Sequence, residues 1–102
     1  MAREKTRYDW DPEKAATNLV DHKVSFEEAR TVFQDPLAMT RPDTDNLERE
    51  ERWITIGESS RKGLLLVVHT HVELDDCVIY IRIISARKPN RHERRQYEQE
   101  AP

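Results

Sequence analysis

Hydrophobic positions along this chain fall into two regimes. Between residues 11 and 36 they recur at helical spacing, and between Trp53 and Ile84 they come as short dense runs. Asp11-Pro12 starts a helix, with an N-cap carboxylate followed by proline at the first helical position. Ala15, Ala16, Leu19 and Val20 give it an apolar side, to about Asp21. Ser25-Phe26-Glu27-Glu28 is a capping box that opens a second helix, on which Phe26, Ala29, Val32 and Phe33 recur at helical spacing. Asp35-Pro36 ends it. The short link around His22-Lys23-Val24 predicts an antiparallel helical hairpin.

Leu37 to Thr40 reads as a short strand and Arg41 to Glu50 as a polar loop. Three stronger strands follow at Arg52–Gly57, Leu64–His71 and Cys77–Ser85, with turns at Glu58–Gly63 and Val72–Asp76. Asn90-Arg91-His92-Glu93, an asparagine capping box, opens a last helix to about Gln99. The predicted order is ααββββα: an α+β fold with an N-terminal helical hairpin packed on a four-stranded antiparallel sheet, and a C-terminal helix. One domain over residues 1–102 is expected, with residues 1–6 as a flexible tail.

Strand alternation divides the sheet into two faces. A turn pairing His71 with Cys77 sets Leu66 against Arg82 and Val68 against Tyr80. With Thr55 opposite Leu66, one face carries Ile54, Ile56, Leu65, Val67, Ile79, Ile81 and Ile83, all apolar and suited to the helices. The other carries Trp53, Thr55, Leu66, Val68, Thr70, Tyr80, Arg82 and Ile84. This mixed face is the expected working surface.

Charge sharpens that expectation. The net charge is −3, yet acids dominate residues 1–51 and bases dominate residues 52–102. A basic site on an acidic body suits a protein that grips nucleic acid at one place rather than coating it. A DNA-binding repressor is disfavoured, because no helix-turn-helix or ribbon pattern is present. Cys77 is the one cysteine, so no intrachain disulfide can form and a cytoplasmic setting is expected. No run approaches a membrane span, so no membrane partner is expected. Two glycines leave no room for a glycine-rich phosphate loop, and no metal-ligand pattern or cofactor motif is evident.

Arg82 interrupts an apolar strand and needs a partner or a task. A phosphate is one answer, since guanidinium binds it bidentately. An ion pair with Glu51, Glu58 or another acid across the sheet is the alternative. Tyr80 and Trp53 offer base stacking, and Tyr80 offers proton transfer; packing is the plainer role for both. His69 falls on the expected core face at its edge, where a packed, satisfied histidine is the plainer reading. Arg87, Lys88, Arg91, Arg94 and Arg95 form a basic exit helix whose one large apolar residue is Tyr97, so it calls for a partner, either RNA phosphate or an acidic protein. Arg52 stands at a strand entrance behind Glu48, Arg49, Glu50 and Glu51, as site support or as a surface ion pair.

Several blocks resemble the BrnT family of toxins. They are Tyr8-Asp9-Trp10-Asp11-Pro12-Glu13-Lys14-Ala15, His22-Lys23-Val24-Ser25-Phe26-Glu27-Glu28-Ala29, Val32-Phe33-Gln34-Asp35-Pro36-Leu37, Glu51-Arg52-Trp53-Ile54-Thr55-Ile56-Gly57, Arg82-Ile83-Ile84-Ser85-Ala86-Arg87-Lys88 and Arg91-His92-Glu93-Arg94-Arg95-Gln96-Tyr97-Glu98. Lys23 departs from the pattern, since family members commonly carry glycine there. The resemblance implies a RelE/ParE-like fold and a type II toxin–antitoxin ribonuclease that blocks translation. It implies a BrnA-type antitoxin in a 2:2 complex, with the antitoxin contacting operator DNA. It supports Arg52 and Arg82 as holding the scissile phosphate while the ribose 2′-hydroxyl attacks, with Tyr80, His69 or Glu51 as proton acceptor. Trp53, Arg87, Lys88 and Arg91 would contact the flanking RNA. A non-catalytic module binding an acidic partner is the competing class.

Overall fold

The computed structural model describes residues 5–44, 51–75 and 77–100. The chain opens with a strand, β1 (Lys5–Trp10), followed by α1 (Pro12–His22), α2 (Phe26–Arg30) and a 3-10 turn (Thr31–Gln34). Strands β2 (Met39–Pro42), β3 (Trp53–Glu58), β4 (Leu64–His69), β5 (Val72–Asp75) and β6 (Val78–Arg87) follow, then α3 (Arg91–Glu100).

The predicted helix starts hold. Asp11 accepts from the Glu13 amide, Ser25 from the Glu28 amide, and Asn90 and Glu93 bond each other's amides reciprocally. At the end of α1, Lys23 adopts φ 60° while its amide caps the Leu19 carbonyl. That left-handed cap is a position where glycine is least strained.

The expected four-stranded antiparallel sheet under a helical hairpin is not what forms. The sheet has six strands in the order β1-β6-β4-β3-β2, with β5 continuing beside β6 beyond β4. It is mixed, because β1 runs parallel to β6 while the other pairs are antiparallel. The sequence reading missed β1 although Thr6, Tyr8 and Trp10 alternate there with Lys5, Arg7 and Asp9.

The expected registers also fail. Leu66 faces Arg87 rather than Arg82, and Val68 faces Ser85 rather than Tyr80. The hairpin turn lies beyond β5, where the Asp75 carboxylate accepts from the Cys77 amide. Val72–Asp75 of the expected turn is therefore strand, and Asp76 lies outside the described residues. An irregularity in the β4–β6 ladder absorbs the odd residue and keeps Ile79, Ile81, Ile83 and Ala86 together on the helix side. Between β3 and β4 the register differs by one residue, with Thr55 opposite Val67. A one-residue slip exchanges faces. Trp53 and Thr55 therefore move to the helix side, and Ile54 and Ile56 to the other.

Gly57 shows why β3 has this parity. A Cβ there would lie 2.9 Å from Val32 Cγ1, so the bare glycine must face the 3-10 turn that packs on it. The helix-side core comprises Val24, Phe26, Ala29, Val32, Leu65, Val67, Ile81, Ile83 and Ala86, joined by Tyr8 and Trp10. On the second face α3 lies against β3. It is fixed near its start by Arg87–Glu93 bonds and further on by the Tyr97 hydroxyl on Asp35. The basic helix thus has contacts within the chain, where the sequence suggested that only a partner would hold it.

Asn18 closes the remaining gap. Beyond Trp10 the outer edge of β6 has no strand beside it, and the buried Asn18 amide takes that place. It donates to the Ala86 carbonyl at 2.8 Å and to the Val24 carbonyl at 2.9 Å, and accepts from the Ala86 amide at 3.0 Å. Asn18→Ala leaves three buried backbone groups unpaired and should lower stability by about 3 kcal/mol. Urea unfolding would show this as a lower midpoint with an unchanged slope.

Candidate functional site

Parallel pairing places Asp9 opposite Arg82 and Arg7 opposite Tyr80. All four side chains point to the face on which α3 packs, in the part that α3 leaves open. One oxygen of Asp9, Oδ2, receives both the Arg82 Nη1 at 2.8 Å and the Tyr80 hydroxyl at 2.6 Å. The pair stays in solvent contact, with side-chain exposures of 43% for Arg82 and 47% for Asp9. The Tyr80 hydrogen bond is the main reason the Asp9 carboxyl lies below the ordinary carboxylate range, reinforced by the Trp10 amide and the Arg82 charge. Conversely, the bond to Asp9 raises the Tyr80 phenol above its ordinary value, so it remains protonated at neutral pH.

Arg52 stands in the same row. Continuing the β3–β4 register by one residue beyond Trp53–His69 sets Arg52 opposite Thr70. Thr70 is bonded across to Arg82 through both its amide and its hydroxyl. Arg82 and Arg52 are thus two strand spacings apart, about 10 Å between backbones. The Arg52 Nε is buried and has no hydrogen-bond partner among the described residues. Arg41, opposite Ile54, shares this face and helps lower the Glu93 carboxyl.

Arg87 is differently placed. Its two terminal nitrogens reach both Glu93 oxygens at 2.8 and 2.9 Å, and Glu93 is only 12% exposed. Arg87 thereby anchors α3. Lys88 and Arg91 are exposed beside it, and Glu51 is exposed ahead of β3.

Two expected site residues lie across the sheet from this cluster. Trp53 faces the helix side through the register slip. His69 is 1% exposed. Its Nδ1 lies 2.8 Å from the Thr70 carbonyl, and its Nε2 lies 2.7 Å from the Thr55 hydroxyl. A carbonyl can only accept, so Nδ1 carries the proton and Nε2 accepts from Thr55. Thr55 in turn accepts from Thr40 at 2.8 Å. The adjoining groove, about 270 Å³, is lined by Tyr8, Phe33 and Ile81 and holds no arginine.

The structure therefore gathers Arg82, Tyr80 and Arg52, separates His69 and Trp53 from them, and adds Asp9 and Arg41, which sequence reasoning passed over. The signal for Asp9 was the alternation of β1, which placed it on the face of Arg7 and away from Tyr8 and Trp10. No group of three or more His, Cys, Asp or Glu side chains suited to a metal is present among the described residues. No described helix is long and apolar enough to cross a membrane.

A mixed sheet with helices on both faces and an arginine row on the open part of one face defines a small α+β protein equipped to bind an anion. Residues 10–93 match the family model for the ribonuclease toxin BrnT of type II toxin–antitoxin systems, and the chain belongs to that family. The fold is similar to the 1.1 Å crystal structure of the Brucella abortus ribonuclease toxin BrnT, with a TM-score of 0.62 and 20% identity, covering 85% of this chain and 100% of that one. No curated protein matches the chain.

Burial holds the His69 imidazole down to about 4, against an ordinary value of 6.5. The folded protein therefore keeps it neutral where the unfolded chain takes up a proton. The associated stability is complete above pH 6.5 and is lost as pH falls toward 4, amounting to about 3 kcal/mol. Urea unfolding across this range should show the decline, and a His69→Gln variant should lack that part of it.

Proposed function

We propose that this protein is the toxin of a type II toxin–antitoxin pair and a metal-independent endoribonuclease acting through the Arg82 face. The observation that carries this reading is the arrangement of Arg82, Tyr80 and Arg52 on one open sheet face. Arginine supplies permanent positive charge in a planar fork suited to phosphate oxygens. Arg82 commits one terminal nitrogen to Asp9, and its exposed remainder faces solvent. A phosphate between Arg82 and Arg52 would also give the unpaired Arg52 Nε an acceptor. Attack by the ribose 2′-hydroxyl then yields a 2′,3′-cyclic phosphate and a 5′-hydroxyl, with the arginines stabilising the charge that develops on phosphorus oxygens. Lys88 and Arg91, exposed at the start of α3, would grip the flanking backbone. Cleavage of cellular RNA would block translation in the cytoplasm. A BrnA-type antitoxin would neutralise the toxin in a 2:2 complex and contact operator DNA itself.

A second reading has a specific observation in its favour. Arg82 and Arg87 both hold carboxylates within the chain, as structural arginines do. On this reading the face binds an acidic protein and cuts nothing.

Purified protein and RNA, with product ends analysed, separate the two. Cleavage with cyclic phosphate ends that persists in EDTA supports the ribonuclease, and Arg82→Ala should lower its rate about 100-fold or more. Arg91→Ala should chiefly weaken binding, reducing the salt dependence of affinity by about 0.7 in logarithmic slope. A folded protein that retains full cleavage without Arg82 removes this site assignment.

A further inference from the structure

A 2′-hydroxyl attacks phosphorus only if something takes its proton, and the three acceptors suggested by sequence are poorly placed. His69 is buried across the sheet with both ring nitrogens engaged. Tyr80 holds its own proton and donates it to Asp9. Glu51 stands ahead of β3 on its exposed approach, with no tie to Arg82. Asp9 remains. It lies beside Arg82 in the sheet row, half-exposed, with Tyr80 and Arg82 both bonded to Oδ2. Among the described residues, the side-chain bonds to Asp9 are both on Oδ2. Asp9 also lies just ahead of the residues that match the family model.

On the ribonuclease reading, we propose that Asp9 is the general base that accepts the proton of the attacking 2′-hydroxyl. Tyr80 and Arg82 fix the carboxylate through Oδ2, the Trp10 amide also bonds the group, and Oδ1 keeps lone-pair capacity for the substrate. The 2′-oxygen forms its bond to phosphorus as its proton passes to Asp9 Oδ1. The phosphorus–5′-oxygen bond breaks, the 5′-oxygen keeps its electron pair, and water supplies its proton. Asp9 then releases the transferred proton to solvent. The phosphate's repulsion of Asp9 is offset by Arg82, by Arg7 two residues earlier on the same face, and by Arg52 along the row. Tyr80 is a positioning residue here.

The test compares wild type with Asp9→Asn and Tyr80→Phe, using free RNA and ribosome-bound messenger in parallel. Affinity is read with a 2′-deoxy oligonucleotide, which binds and cannot react. Asparagine keeps an acceptor for the Tyr80 hydroxyl and removes the basic oxygen. Asp9→Asn should lower kcat about 100- to 1,000-fold with deoxy-oligonucleotide affinity within about threefold. The wild-type rate should be flat from about pH 5 to 8, since the base is ionised throughout, whereas the residual Asp9→Asn rate should climb about tenfold per pH unit as hydroxide takes over. Tyr80→Phe should lower kcat about tenfold and leave the flat profile.

Asp9→Asn with near wild-type kcat overturns the assignment, leaving the ribonuclease reading intact. So does an Asp9→Asn profile parallel to that of wild type, which marks a purely structural carboxylate. Loss of affinity along with rate has the same consequence. A wild type that cuts neither substrate overturns the ribonuclease reading, and this inference with it.

Discussion

The parallel ladder between β1 and β6 is the constraint on which the rest depends. Strand β6 carries Tyr80 and Arg82 on one face and Ile79, Ile81 and Ile83 on the other. Its inner edge is paired with β4 and β5. Its outer edge would be bare without β1 and, further along, the Asn18 amide. Unpaired backbone in that position costs more than any exposed ion pair returns. The same ladder fixes composition face by face: Tyr8 and Trp10 enter the core only if Arg7 and Asp9 enter the open face. Core packing and site assembly are therefore one event, set by a register of six residues.

Energetic comparison separates the arginines that hold the structure from those available to a ligand. Arg87 meets Glu93 through two parallel bonds, and Glu93 is mostly buried and also caps α3 through the Asn90 amide. Charge-assisted bidentate pairs in partly dry surroundings are among the stronger polar contacts. Displacing the Glu93 carboxylate would also remove its half of the capping box, the bond from the Asn90 amide. Arg82 meets Asp9 through one nitrogen, in a pair that is nearly half exposed on each side. Such an exposed pair adds little to stability. Exchanging or sharing the carboxylate with a phosphate costs the fold little, so the two salt bridges differ in kind although their distances match.

How legible each feature was in sequence follows the range of the interaction that makes it. The caps at Asp11, Ser25 and Asn90 depend on partners two or three residues away, and their patterns are written out in order. Arg82 and Tyr80 stood out because they break an apolar run. Register is set by distant contacts, and here one local clue was decisive and easily passed over: Gly57 must face Val32, and that fixes which side Trp53 and Thr55 occupy. Asp9 was harder still. Its partner Arg82 is 73 residues away, across a strand so charged that its alternation resembles a tail. His69 misled in the opposite sense, because its chemistry suits catalysis while Phe33, Thr55 and the Thr70 carbonyl enclose it. The six-stranded sheet eluded the reading for the same reason, since the short alternation of β1 marks a strand but not its distant parallel partner.

Net charge is a poor guide to what such a molecule can hold. The chain is acidic overall at −3. On the helix side of the sheet the exposed acids Glu13, Asp21 and Glu27 are balanced by the exposed bases Lys14, Lys23 and Arg30. Arg41, Arg52, Arg82 and Arg87 lie on the opposite face, beside the exposed arginines of α3. At physiological ionic strength the screening length is about 8 Å, shorter than the thickness of a sheet with helices packed on it. An approaching polyanion therefore meets each face nearly alone, attracted by the arginine face and not by the balanced helix face. Burial keeps His69, a titratable group on the helix side, from adding charge there at neutral pH. Orientation before contact is what an acidic body gains from a basic face, and a uniformly basic chain of this size would lack it.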